Sequence, residues 1–179
     1  MSRTAAARRQ SERRHHRQPE REKRRKRGPN IDPVGYDAGK KIKGKKRHAI
    51  VDTLGLMLGV AITPADVQDR DGFIPLLKEV RRVFVFLQRL FADGGYSGAK
   101  TAAEAKRAGK VELEIVKRSD AAKGFVVLSK RWIVERTFGW FGRCRRLAKD
   151  FENLTRTQHA FVQLAMIRLM MRRIARLST

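Results

Sequence analysis

The chain has 179 residues, enough for one domain with a buried core. Its 42 Lys and Arg against 18 Asp and Glu give a formal charge of +24, which predicts a polyanionic partner: nucleic acid first, an anionic membrane second. The single cysteine excludes an internal disulfide framework and favours a reducing, cytoplasmic setting, and we expect neither a signal peptide nor a membrane-spanning segment.

Residues 1–27 differ in composition from the rest of the chain. They include many Lys and Arg but no Val, Ile, Leu, Phe, Trp or Tyr. A segment without large apolar side chains cannot bury a core, so we predict a basic, disordered or loosely helical arm. A solvated tail and an arm that contacts nucleic acid both remain open at this stage.

Strands and helices alternate through the remaining residues. In chain order we predict a loop at 28–46, an antiparallel hairpin of strands 47–52 and 56–63, a helix at 73–84, a strand at 85–92, a helix at 101–108, a strand at 111–116, and closing helices at 131–149 and 157–177. This order predicts an α/β fold with a mixed sheet.

Two carboxylates have specific local settings. Asp93 follows a buried strand and precedes Gly94-Gly95, at the end of the strand where open α/β sheets place their sites. Glu135 lies on a predicted helix, three residues from both Trp132 and Phe138, where a carboxylate needs an ionic partner or a metal ion. The alternatives are an Asp that binds amides of its own turn and a Glu paired with an Arg.

Several segments resemble the C-terminal catalytic part of bacterial insertion-sequence transposases of the DDE type, in particular the insertion-sequence-5/4-like group. The resemblance covers roughly residues 28–176. Its segments are Lys45-Lys46-Arg47-His48-Ala49-Ile50-Val51-Asp52-Thr53-Leu54-Gly55-Leu56, Asp66-Val67-Gln68-Asp69-Arg70-Asp71-Gly72, Ala92-Asp93-Gly94-Gly95-Tyr96, Arg131-Trp132-Ile133-Val134-Glu135-Arg136-Thr137-Phe138 and residues 143–152.

The resemblance implies an RNase H-like mixed sheet with flanking helices. It implies DNA transposition by phosphodiester hydrolysis and strand transfer, with two Mg²⁺ or Mn²⁺ ions held by two Asp and one Glu. Asp93 and Glu135 would be the catalytic metal ligands. The DNA partners would be the terminal repeats of the element and the target, and a homo-oligomer is expected. The residues that would contact DNA phosphates are Lys45, Lys46, Arg47, Lys117, Arg136 and Arg143.

The chain departs from this family at its beginning. The family's first Asp lies on a central first strand, and residues 1–27 show no apolar segment for it. We therefore predict an arm at 1–27 and, at 28–179, a partial RNase H-like domain that lacks the usual central strand. The abrupt change in composition suggests that residues 1–27 are translated out of frame. Replacement of the missing carboxylate by Asp32, Asp37 or Asp52 is disfavoured, because Asp52 belongs to a neighbouring strand in another register.

Three functions compete at this stage, and whether the chain is an active enzyme is left open. The first is an incomplete DDE transposase domain that is inactive alone. The second is a DNA-binding remnant or regulator of the element without catalysis. The third is a structural RNA-binding protein, which explains the charge but not the settings of Asp93 and Glu135.

Overall fold

The computed structural model describes residues 3–11, 31–39, 41–116, 130 and 132–177. Within these ranges the strands are β1 (Arg3–Ser11), β2 (Gly35–Asp37), β3 (Ile42–Asp52), β4 (Met57–Pro64), β5 (Leu87–Ala92) and β6 (Glu112–Ile115). The helices are α1 (Asp69–Val83), α2 (Ala99–Gly109), α3 (Trp132–Gly142) and α4 (Thr155–Leu177), with short 3₁₀ turns at Gly94–Tyr96 and Arg145–Leu147.

The sheet is mixed, as predicted, and β1 is its central strand. The order is β4–β3–β1–β5–β6, and β2 pairs with the start of β3. Ala7 of β1 lies opposite Ile50 in the antiparallel β1–β3 ladder and opposite Ala92 in the parallel β1–β5 ladder. The prediction of a sheet without its central strand is therefore wrong. So is the disordered arm over residues 3–11, whereas residues 12–27 lie outside the described ranges.

The reason for this error is that backbone groups, rather than apolar side chains, place β1. Both β3 and β5 present N–H and C=O groups toward the space between them, and an extended segment there satisfies both edges. Composition reports how much apolar surface a segment can bury, but it does not report which edges are open. A segment rich in Ala and Arg was therefore assigned to solvent.

The predicted hairpin is confirmed, and it extends further than expected. β3 and β4 pair antiparallel, from Lys45 opposite Pro64 to Val51 opposite Met57. The loop predicted at 28–46 is wrong in part, because β2 lies within it and β3 begins at Ile42. At the hairpin turn Gly55 has φ of +79°, a conformation that favours glycine.

Helices cover both faces of the sheet, and each face has its own apolar core. The first core joins α1 and α2 to Ile50 and Leu90. The second core joins α3 and α4 to Val51 and Phe91. Neighbouring strand residues thus alternate between the two cores, as the pleat requires.

α4 is amphipathic only along part of its length. It buries Val162 and Met166 against the second core and leaves Ile167 and Met171 exposed. In the ranges that the structure describes, no helix has both the length and the apolar character that crossing a membrane requires.

The beginning of α4 is bound by Asp32, which lies before β2. The Asp32 carboxylate accepts a hydrogen bond from the backbone N–H of Thr155, the first residue of α4. The N–H of Asp32 donates to the carbonyl of Asn153 at 3.2 Å. The hydrogen bond from the Thr155 backbone is the main cause that lowers the pKa of Asp32 below its ordinary 3.8, and the charges of Lys45 and Arg156 act in the same direction.

We expect Asp32→Asn to lower the melting temperature at neutral pH, with an effect that disappears in acid. Because the folded pKa of Asp32 is depressed, its contribution to stability is present above the unfolded pKa and is lost as the pH falls through the folded pKa. Melting curves of both proteins from neutral pH to about pH 3 check this, with Asp71→Asn as a control at an exposed carboxylate. A difference in melting temperature that stays constant over the whole range would contradict it.

Candidate active site

Asp93 lies where the sequence placed it, directly after the carboxyl end of β5. Its side-chain Oδ1 accepts a hydrogen bond of 3.0 Å from the N–H of Gly95, so it caps the 3₁₀ turn Gly94–Tyr96. Tyr96 anchors that turn, since its ring is buried and packs edge-on against Phe73 at 5.3 Å between centroids. The Asp93 carboxylate is half-buried and is held by a rigid support.

A second carboxylate, that of Asp69, lies beside the same turn. An ideal Cβ at Gly95 would be 3.1 Å from Asp93 Oδ1 and 3.3 Å from Asp69 Oδ2. The two carboxylate oxygens therefore flank Gly95, and the absence of a side chain at Gly95 leaves space between them. Asp69 is the first residue of α1, which begins four residues before the predicted start at Phe73.

A buried lysine joins this region to the sheet. Lys46 of β3 donates from Nζ to the carbonyl of Val67 at 2.7 Å and lies 3.6 Å from Asp37 Oδ2 and 3.9 Å from Asp69 Oδ1. Its side chain is 5 % exposed, and that of Asp69 is 12 % exposed. Charges withdrawn from water to this degree need close partners of opposite sign, and Lys46 supplies one to both carboxylates.

Glu135 lies in the first turn of α3, with its side chain exposed. The buried face of α3 consists of Val134, Thr137, Phe138 and Phe141. The predicted reason for a special role, a carboxylate on an apolar helix face, is therefore wrong, because the face shared with Trp132 is turned toward solvent. α3 packs against β1 and β3, so Glu135 and Asp93 are both on elements that border β1.

The central strand carries no carboxylate that could complete the site. β1 reads Arg-Thr-Ala-Ala-Ala-Arg-Arg-Gln-Ser. Ala7 pairs with Ala92 at the end of the β1–β5 ladder, so Arg8 is the next residue of β1, as Asp93 is the next residue after β5. Among the described residues, no three His, Cys, Asp or Glu form a group that could hold a metal ion. The carboxylates of Asp93 and Asp69 suit a hard divalent cation in chemistry, but the set is incomplete.

The family of this chain follows from comparison with known proteins. Residues 6–170 match the family described as "Transposase DDE domain", so the match runs from β1 into α4. The chain belongs to the DDE transposase domain family. Members of this family generally use divalent metal ions, and transposases act on DNA.

A curated relative supports the same family. The chain is 30% identical over 129 residues to "Putative transposase for insertion sequence element IS402" of Burkholderia cepacia. The aligned region is 68% of this chain and 60% of the relative. The chain thus spans about 60% of the length of the curated relative that it matches.

Three of the cations predicted to contact DNA are buried in this DDE domain. Lys45, Lys46 and Arg47 are 4%, 4% and 2% exposed. Lys45 donates to the carbonyl of Asn153 at 2.8 Å, and Arg47 donates to that of Leu147 at 3.0 Å. These side chains bind segments of their own chain, so their placement argues against the phosphate contacts predicted for them.

The remaining predicted DNA contacts are divided between surface and undescribed positions. Arg143 is exposed, and Lys117 lies outside the described residues. Arg136 is half-buried: its guanidinium lies 4.3 Å from the Trp132 ring centre and donates to the carbonyl of Leu54 at 2.9 Å. Arg136 thereby fixes the hairpin turn to α3 and retains only part of its surface for a phosphate.

Sequence reasoning missed Asp69 and Lys46 as parts of the Asp93 region. Asp69 lies between the strand predicted at 56–63 and the helix predicted at 73–84, so the prediction left it in a connection. A usable signal was the acidic pair Asp69 and Asp71, because acidic residues are enriched in the first turn of a helix. For Lys46 no local signal existed, because its partners come from segments on both sides of the hairpin.

Proposed function

We propose that this chain is the catalytic part of an insertion-sequence DDE transposase that binds DNA and has lost one of its three metal-binding carboxylates. Asp93 and Glu135 are the two ligands that remain, and Arg143 and Arg136 contact DNA phosphates beside them. The chain is then inactive alone in DNA hydrolysis and strand transfer. Assignment to the insertion-sequence-5/4-like group rests on the sequence resemblance.

One observation carries this proposal: the strand between β3 and β5 is present but contains no Asp or Glu. Arg8 is the residue of β1 that follows the last pair of the parallel ladder, Ala7 with Ala92, just as Asp93 follows Ala92 at the end of β5. Divalent ions would activate a water or 3′-hydroxyl and stabilise the leaving oxygen, which requires ligands from both sides of the site.

The roles of the remaining residues follow from their positions. Asp93 offers its carboxylate from a turn fixed by Tyr96, so little ordering is needed when it binds a cation. Glu135 offers an exposed carboxylate from the first turn of α3. Asp69 adds negative potential beside Asp93, while Lys46 holds it in place.

The composition of β1 supports the further proposal that residues 1–27 are read out of frame, whereas the family match, which starts at residue 6, opposes it. A central strand covered on both faces normally consists of large apolar residues, whereas β1 offers Ala between Arg and Thr. The nucleotide sequence upstream of the Gly28 codon tests this in its three frames. If no frame encodes an apolar strand with an Asp, residues 1–27 are the native reading and this proposal fails.

We expect Mg²⁺ or Mn²⁺ to raise the melting temperature of the chain, and Asp93→Asn to abolish the rise. A ligand that binds only the folded state at about a hundredfold excess over its Kd stabilises by about 2.7 kcal/mol. Differential scanning fluorimetry with increasing metal concentration measures the shift. Asp71→Asn is the matched control, since Asp71 is an exposed carboxylate in the first turn of α1 and should leave the rise unchanged.

The same experiment distinguishes the catalytic proposal from a second candidate function, which is DNA binding without metal chemistry. The chain carries +24 formal charge, which is sufficient for binding to DNA without any metal. If the metal shifts neither protein while DNA binding persists, the chain is a binding remnant or regulator. If the metal shifts Asp93→Asn as much as the unsubstituted protein, Asp93 is not a ligand and the catalytic proposal fails.

A further inference from the structure

A cavity of about 610 Å³ opens between α1 and α2, and its lining is strongly basic. Lys78, Arg81 and Arg82 of α1 face Arg107 of α2 across it, and Glu104 is its single carboxylate. We name this feature the α1–α2 cleft. It lies on the face of the sheet that carries the first core, whereas Glu135 and Arg136 are on α3 over the opposite face.

The cations of the α1–α2 cleft are arranged for a linear polyanion. Lys78 is three residues from Arg81 and four from Arg82, which places their Cβ atoms about 5–6 Å apart on one side of the helix. Among the described residues, no ion pair joins Lys78, Arg82 or Arg107 to a carboxylate. Their charges are therefore available to a ligand.

Arg81 has a different role from its neighbours. Its Nε donates to the carbonyl of Gly109 at 2.6 Å, and its Nη1 donates to that of Phe84 at 3.2 Å. These bonds tie the end of α1 to the end of α2. Arg81 thus fixes the floor of the cleft, and the three other cations form its binding surface.

We infer that the α1–α2 cleft binds the phosphodiester backbone of DNA, as a contact separate from the candidate active site. None of the described residues that line the cleft is aromatic, so these residues offer a base no aromatic ring to stack on, which favours backbone contacts independent of sequence. Asp69 is at the other end of α1, about 14 Å from Lys78 and about 20 Å from Arg82 along the helix axis at 1.5 Å per residue. A duplex held there extends the contact with DNA well beyond Asp93.

This inference rests on the proposed function for its DNA partner, and salt-dependent binding tests it. A fluorescein-labelled duplex of about 30 base pairs and arbitrary sequence is titrated with the full chain at several salt concentrations, and anisotropy gives Kd. The test variant is Lys78→Gln/Arg82→Gln/Arg107→Gln, which leaves Arg81 intact. The matched control is Arg168→Gln/Arg172→Gln/Arg176→Gln, which removes the same charge from exposed positions of α4.

We expect the cleft variant to bind at least about tenfold more weakly near 0.1 M salt, and its plot of log K against log salt to flatten by roughly 0.9 for each lost phosphate contact. The control should retain most of the slope. An equal loss of DNA affinity in both variants would show that only net charge matters, and it would overturn the inference. An unchanged DNA affinity in both variants would overturn it as well. If the unsubstituted chain does not bind DNA, the proposed function fails as well; circular dichroism melts confirm that each variant is folded.

Discussion

An Arg8→Asp variant is expected to bind Mg²⁺ or Mn²⁺ at least about tenfold more tightly than the unsubstituted chain, a gain of roughly 1.4 kcal/mol. Ala7 pairs with Ala92 at the end of the parallel ladder, so position 8 and Asp93 are the next residues of the two segments, and Arg8 pairs with Ala49 on the other side. The change removes a positive charge and adds a carboxylate at the position where the proposed function lacks a ligand. Both effects favour a divalent cation.

Comparison with Arg8→Asn separates the effect of the added carboxylate from the effect of removing the arginine side chain. Asn has the shape of Asp but no negative charge, so it removes Arg without adding a carboxylate ligand. Isothermal titration with metal measures affinity in all three proteins, and relaxation of supercoiled plasmid DNA measures strand nicking. We expect metal-dependent nicking only in Arg8→Asp. Similar affinities in Arg8→Asp and Arg8→Asn would show that β1 does not border the metal site.

Replacement of Lys46 by Met is expected to cost about 3–5 kcal/mol of unfolding free energy, the range found when one partner of a buried ion pair is removed. Met keeps the apolar stem and removes the ammonium group. The loss takes the positive charge from between Asp37 and Asp69 and leaves the carbonyl of Val67 without its 2.7 Å donor. A loss of this size is a large part of the stability of a typical domain.

Urea denaturation monitored by circular dichroism measures this loss. Lys43→Met is the matched control, because Lys43 lies on the same strand with its side chain exposed, and a change within about 0.5 kcal/mol is expected there. The double variant Lys46→Met/Asp69→Asn should recover part of the loss by removing one facing negative charge. If Lys46→Met costs no more than Lys43→Met, Lys46 does not stabilise this region.

The local elements were largely predictable because each depends on neighbours in sequence. Two strand-like segments joined by the short link Thr53-Leu54-Gly55 predicted the β3–β4 hairpin, and helical spacing predicted α1. Asp93 was predicted at a strand end because an apolar run stops at that residue and glycines follow. α3 ends at Gly142 rather than near Lys149, because the chain turns at Cys144 into the 3₁₀ segment Arg145–Leu147.

The errors concern partners that are distant in sequence. The resemblance predicts Lys45, Lys46 and Arg47 as contacts to DNA phosphates, which requires exposed side chains. In the fold each of these side chains donates a hydrogen bond to a backbone carbonyl of another segment. These hydrogen bonds offset the free-energy cost of burying the charge. Glu135 shows the reverse error, because the side of α3 that carries Trp132 is turned to solvent.

The sequence by itself determined the class of partner, the order of the elements from β3 onward, and the two motifs around Asp93 and Glu135 that led to the DDE transposase family. Charge, periodicity and short motifs are local properties, and they are present before the chain folds. Only the tertiary structure decided that Arg3–Ser11 is the central strand, that Asp69 lies beside Asp93, and that the basic run of β3 is buried. Each of these depends on hydrogen bonds and ion pairs between segments far apart in the chain, which no local pattern encodes.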